Sequence, residues 1–138
     1  MRIYIDVEFN EFGGDLISMA LVDQNGREWY EVLECADPKP WVTQHVIPVL
    51  GKPPVSKTYF QHSMADFLSG YMQVHLVADW PDDIKHFCEM LITGPGERLN
   101  TPRLSMEIRR DIDSSKAEIQ HNALSDARAI RLADLRGW

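Results

Sequence analysis

Residues 2–8 alternate between apolar and polar and are mostly β-branched or aromatic, which predicts a strand. A near-continuous apolar run from Asp15 to Asp23 predicts a second. Asp23-Gln24-Asn25-Gly26 reads as a hairpin turn, because Asn-Gly accepts positive φ at both central positions. Glu28 to Glu34 is the returning strand. Pro40 to Leu50 is read as a short helix with Pro48 near its end, and residues 51–57 as a Gly/Pro loop. Ser63 to Tyr71 is read as a helix capped by Ser63. Gln73 to Ala78 has the apolar character of a buried strand. A helix from Asp82 to Ile92 enters through Pro81, and Gly94-Pro95-Gly96 is expected to end it. Residues 97–120 give no periodic signal. Ala123 to Leu135 closes the chain as a helix. This order predicts an α/β fold: a mixed central sheet, an antiparallel meander plus a parallel strand reached by a helical crossover, flanked by helices.

With 138 residues the chain is expected to form one domain (1–138) with a core large enough to need no staples. At 44% hydrophobic and 25% charged, its composition is that of an ordinary globular chain. No apolar run approaches the roughly 20 residues of a membrane span. The opening Met-Arg-Ile-Tyr-Ile-Asp is too short an apolar stretch, and too soon broken by an acid, to be read as a signal peptide. A cytoplasmic location is therefore expected. Cys35 and Cys88 lack paired spacing and are read as reduced thiols.

The net charge is −7, which argues against broad gripping of duplex DNA. Two bound dications would bring the sum to roughly −3 and make their site locally positive. Acidity is thus compatible with a metal-dependent nuclease working on one strand end.

The chemistry lies in acids set in or beside apolar sequence, where a lone charge is costly. Asp6 and Glu8 sit two apart on the first strand and so share a face, with Ile3, Ile5 and Val7 on the other. In Asp79-Trp80-Pro81-Asp82-Asp83 a strand ends and a helix begins. Acids there also suit the positive end of the helix dipole, so each alone has a plain structural explanation. His121 and Asp126 would stand about 140° apart on a continuous helix. They converge only if His121 precedes the helix, with Asn122 or a neighbour as cap. Asp126 shares a stripe with Ala123, Ala127, Ile130 and Ala133, where a carboxylate needs a partner; a cation is the simplest. His45, His62, His75 and His86 have no such setting and are read as structural or surface residues.

The ordered set Asp-x-Glu, Asp at a strand-to-helix turn, and His-x4-Asp resembles the DEDDh 3′–5′ exonucleases. These are RNase T-like enzymes with a ribonuclease H-like fold. Within them, Asp6-Val7-Glu8-Phe9, Leu16-Ile17-Ser18 and His121 to Arg128 resemble the small exoribonuclease group typified by a mycobacterial enzyme. The resemblance spans nearly the whole chain. It implies Asp6, Glu8 and Asp126 as metal ligands and His121 as general base. The family's His-Asn-x-x-Phe-Asp pattern lies on Ala78 to Asp83 without a gap, which makes Asp83 the fourth ligand and leaves Asp79 as its rival. Phe9 and Asn10 replace the Thr-Thr-Gly found in proofreading relatives.

The implied activity is stepwise hydrolysis of single-stranded RNA, or DNA, from the 3′ end. Two Mg²⁺ or Mn²⁺ ions would serve as cofactors and nucleoside monophosphates would be released. Phe9 and Trp80 are candidate stacking surfaces for terminal bases, and Arg103, Arg109 and Arg110 candidate phosphate contacts. The resemblance also allows a homodimer. Two other readings stand beside it: a non-catalytic interaction module on the same fold, and a phosphohydrolase of free nucleotides.

Overall fold

The computed structural model describes residues 1–136. Three strands open it: β1 (Arg2–Phe9), β2 (Leu16–Asp23) and β3 (Glu28–Val32). A short helix α1 (Pro40–His45), a 3₁₀ turn at Ile47–Val49 and helix α2 (Lys57–Leu68) lead to β4 (Gln73–Ala78). Helix α3 (Pro81–Met90), the small hairpin β5 (Ile92–Gly94) and β6 (Glu97–Arg98), strand β7 (Arg103–Ile108) and helix α4 (Ala123–Arg136) complete it.

The five-stranded sheet runs β3-β2-β1-β4-β7, so the strand bearing Asp6 and Glu8 is central. β1 is antiparallel to β2, and β4 is parallel to both β1 and β7. This is the expected mixed α/β sheet flanked by helices, an arrangement consistent with a ribonuclease H-like fold. Side-chain alternation splits the core. Ile3, Ile5 and Val7 join Met19, Leu21 and Leu76 beneath Phe60, Met64 and Phe87 of α2 and α3. On the opposite face Tyr4 and Val77 meet Ile130 and Ala133 of α4, while Ala20 and Val22 meet Ala123 and Ala127. Those small residues let α4 lie close against β1 and β2. None of the helices among the described residues is long and apolar enough to cross a membrane.

The structure corrects several boundaries. Helix α2 starts at Lys57, capped by Ser56, whose hydroxyl accepts the Tyr59 amide at 3.1 Å. Its exposed polar first turn looks like loop in sequence. Ser63 is mid-helix, and its hydroxyl accepts a hydrogen bond from the Trp29 indole at 2.8 Å. At the first hairpin only Gly26 has positive φ, and Asn25 does not. Asp23 and Arg27 close a three-residue loop, with the Asp23 side chain accepting the Asn25 and Arg27 amides. Gly94-Pro95-Gly96 does not end α3. Leu91 caps that helix, and the glycines turn the β5–β6 hairpin. The stretch without periodic signal contains β7, a sheet-edge strand with a mostly exposed or half-buried pattern.

Candidate active site

β1 delivers its two acids at its C-terminal end, where pairing changes. Its register with β4 covers only Arg2 to Tyr4. Beyond it the Val7 amide has no strand partner on that side and donates instead to Asp83 Oδ1 at 3.0 Å. A register shift against β2 falls between Glu8 and Phe9, and such irregularities re-aim side chains at a strand end. Asp79 follows β4, and Asp83 sits in the first turn of α3, one helical turn further. Asp82, between them, accepts the Trp80 indole at 2.7 Å and takes no place in the acid cluster.

The third element is the start of α4. Asn122 caps it, accepting the Ser125 amide at 2.9 Å and donating to the Val49 carbonyl at 2.8 Å. His121 stands just before the helix with φ of 66° and belongs to neither of the site's carboxylate groups.

Oxygens of Asp6, Glu8 and Asp126 lie within 4.8 Å of one another, and so do oxygens of Asp6, Asp79 and Asp83. Asp6 belongs to both groups. Burial and crowding raise the proton affinities of Asp6, Glu8, Asp83 and Asp126. Burial, then repulsion from Asp83, Glu8, Asp126 and Asp79, holds the Asp6 carboxyl well above the ordinary range. Burial, then the charge and hydrogen bond of Asp126, pushes Glu8 up to about 9. Burial and the charge of Asp79 lift Asp126 to about 7, against a lowering hydrogen bond with Glu8. Burial and Asp79 also raise Asp83, although the Val7 amide pulls the other way. Asp6 Oδ2 and Asp83 Oδ2 are buried without any hydrogen-bond partner. Unpartnered buried carboxylate oxygens are expensive, and an all-oxygen donor set suits hard divalent cations. The residues present therefore fit Mg²⁺ or Mn²⁺. Both Asp79 and Asp83 belong to the second group; Asp83 is buried, whereas Asp79 accepts the Ser114 hydroxyl at 3.1 Å.

A cavity of about 400 Å³ adjoins Glu8, lined by Phe9, Glu11, Phe12, Trp41 and Val42. Phe12 is 77% exposed at the tip of the β1–β2 turn, which Glu11 (φ 62°) and Gly13 (φ 82°) bend through left-handed conformations. Trp41 projects from α1 and meets the His121 ring edge-on at 4.9 Å. The Asn10 side chain ties these two walls together, donating to the Asp37 carbonyl at 2.9 Å and accepting the Lys39 amide at 2.8 Å. A larger hollow of about 500 Å³ beside α2 and α3 holds none of these five acids.

Phe9 packs on the core and stacks on the buried His86 at 5.2 Å. Trp80 lies under the Arg110 guanidinium at 3.9 Å, with Phe12 at 6.3 Å. Arg109 is engaged by Asp111 and Asp134, whereas Arg103 is exposed at the start of β7. His45, read as a structural or surface residue, is exposed, and its ring lies 4.7 Å from Trp41 and 6.0 Å from His121. Sequence reading passed over Phe12 and Trp41. The available signal was an aromatic inside a polar turn and a tryptophan on an otherwise exposed short helix.

Fold and site thus define a ribonuclease H-like α/β chain with a carboxylate cluster at the end of its central strand. Two 3′–5′ exoribonucleases of Mycobacterium tuberculosis, from strains CDC 1551 / Oshkosh and ATCC 25618 / H37Rv, are each 32% identical to it. Each alignment spans 149 residues, covering 93% of this chain and 88% of the relative. No family model matches the sequence. The chain belongs to the family of the small mycobacterial-type 3′–5′ exoribonucleases.

Proposed function

We propose that residues 1–138 form one DEDDh exonuclease domain, a metal-dependent enzyme removing nucleoside monophosphates from the 3′ end of single-stranded RNA. The observation that carries this is the sharing of Asp6 between two carboxylate groups, the donor pattern for a pair of neighbouring cations. The names of the relatives favour RNA over DNA. Asp6, Glu8 and Asp126 would hold one ion, and Asp6 with Asp83 the other. Bound there, Mg²⁺ or Mn²⁺ would acidify the attacking water and offset charge at the scissile phosphate.

The remaining work falls to side chains. His121 takes the proton from the attacking water, its ring steadied by the edge of Trp41. The cavity beside Glu8 accepts the terminal base, with Phe12 and Trp41 as walls and Phe9 as floor. Trp80, already paired with Arg110, extends the aromatic surface towards the preceding nucleotide. A cytoplasmic setting belongs to the same reading, since Cys35 and Cys88 are free thiols.

The test is digestion of end-labelled RNA and DNA oligomers of matched sequence, with Mg²⁺, Mn²⁺ or EDTA. A ladder shortening by one nucleotide from the 3′ end of RNA, and abolished by EDTA, is expected. Hydrolysis of nucleoside triphosphates without any ladder, or cleavage that survives EDTA, overturns the proposal.

A further inference from the structure

Three acids that repel one another sit on two elements: Asp6 and Glu8 on β1, Asp126 on α4. When ionised, they oppose the approach of α4 to β1. The same stripe of α4 carries the counterweight. Asp126, Ile130 and Asp134 follow at intervals of four residues and so lie along one side of the helix. Ile130 is fully buried against Tyr4 and Val77. Asp134 then meets the start of β1. Its Oδ2 accepts the Tyr4 hydroxyl at 2.6 Å and Arg2 Nη2 at 2.8 Å, and its Oδ1 accepts Arg109 Nη1 at 3.1 Å. Arg2 also reaches Glu107 of β7 at 3.1 Å, and His75 of β4 reaches the same carboxylate at 3.3 Å.

This cluster joins α4 to β1, β4 and β7. The Asp134 side chain is only 12% exposed, which separates it from the solvent-screened ion pairs that contribute little. Tyr4 is two residues from Asp6 on the same face of β1, about 7 Å along the strand, and Asp134 is about 12 Å along α4 from Asp126. The attraction at one end of the β1–α4 contact thus opposes the repulsion at the other.

We propose that Asp134, held by Tyr4, Arg2 and Arg109, is a positioning residue that keeps Asp126 within coordinating distance of Asp6 and Glu8 before any cation binds. The inference rests on the proposed metal site. Residues that orient ligands from behind typically change metal affinity by 10- to 100-fold when altered. A merely structural tether would lower the stability of the metal-free chain and leave the affinity of the folded protein untouched.

The experiment is calorimetric titration with Mn²⁺ alone of the full chain and of the Asp134→Asn and Tyr4→Phe variants, each first checked for folding by circular dichroism. Tyr4→Phe removes one hydroxyl and keeps the ring, so it serves should Asp134→Asn fail to fold. About tenfold weaker Mn²⁺ binding is expected for Asp134→Asn and a smaller loss for Tyr4→Phe, with kcat at saturating Mn²⁺ within about twofold of the parent. Folded variants that bind Mn²⁺ as tightly as the parent overturn the positioning role and leave the metal site standing. A parent chain that binds no Mn²⁺ overturns the metal site and the inference with it.

Discussion

Replacing Asp126 with asparagine should stabilise the metal-free protein at alkaline pH, although it removes a proposed metal ligand. The carboxyl of Asp126 is lifted from the ordinary 3.8 to about 7 by burial and the charge of Asp79, against the Glu8 hydrogen bond. A carboxylate with a raised native pKa contributes stability that is fully present below its unfolded pKa and lost as pH rises through the native value. Three pKa units correspond to a ceiling of ~4 kcal/mol. Water reaches this half-buried group, so screening reduces the figure to roughly 1–2 kcal/mol. For a chain of 138 residues that is about 3–7 °C in melting temperature. Thermal melts in EDTA at pH 8 and pH 5 measure it. Asp126→Asn should melt higher than the parent at pH 8 and by a smaller margin at pH 5, where the native carboxyl is still protonated but the unfolded one is not. The parent itself should lose stability as pH rises from about 4 to about 9, the Asp126 share being gone by about pH 7 and the Glu8 share by about pH 9. Added Mn²⁺ should raise the parent's melting temperature more than the variant's. A variant that melts lower than the parent at pH 8 without metal, or gains equally at both pH values, would refute the electrostatic argument.

Three further outcomes are expected. His121→Ala should lose at least 100-fold in kcat while Mn²⁺ affinity by calorimetry stays within about threefold; near-normal turnover removes the imidazole from the mechanism. Asp83→Asn should weaken Mn²⁺ binding more than Asp79→Asn, because Asp83 has a buried oxygen without a partner whereas Asp79 already accepts Ser114; the reverse order in titrations makes Asp79 the ligand. Trp41→Ala and Phe12→Ala should each raise KM for short RNA by about 5- to 150-fold, the equivalent of 1–3 kcal/mol of stacking per base; unchanged KM in both puts the terminal base elsewhere.

What was legible in the sequence follows from the range of the interactions involved. β1 announces itself by alternation and by acids on one face. Its central place follows from the apolar Ile3-Tyr4-Ile5, all fully buried. The α4 stripe of Ala123, Ala127, Ile130 and Ala133 is likewise local, and each of these residues is buried. β7 was not legible. Half of its residues face water at the sheet edge, so Arg103 to Ile108 lacks the apolar run that marks a buried strand. Helix α2 was placed six residues late because its first turn, Lys57-Thr58-Tyr59, is exposed and polar. The convergence of Asp6, Glu8, Asp83 and Asp126 could be anticipated only through the ordered motif, since no single spacing encodes contacts between β1, α3 and α4. The cavity walls were missed for the same reason. Phe12 and Trp41 are distant in sequence, and each alone is an ordinary exposed aromatic.

Asn10 gives that cavity a property of its own. Phe12 belongs to the turn Asn10 begins, and Trp41 to the helix just beyond Lys39, which Asn10 holds. Gly14 locks the turn further, because a Cβ there would meet the Asn10 carbonyl oxygen at 1.8 Å. The opening is therefore a gauge of set width rather than a pair of independent jaws. On the proposed reading, a nucleotide that fits would enter without prising its sides apart, and a bulkier modified one would be refused at the threshold.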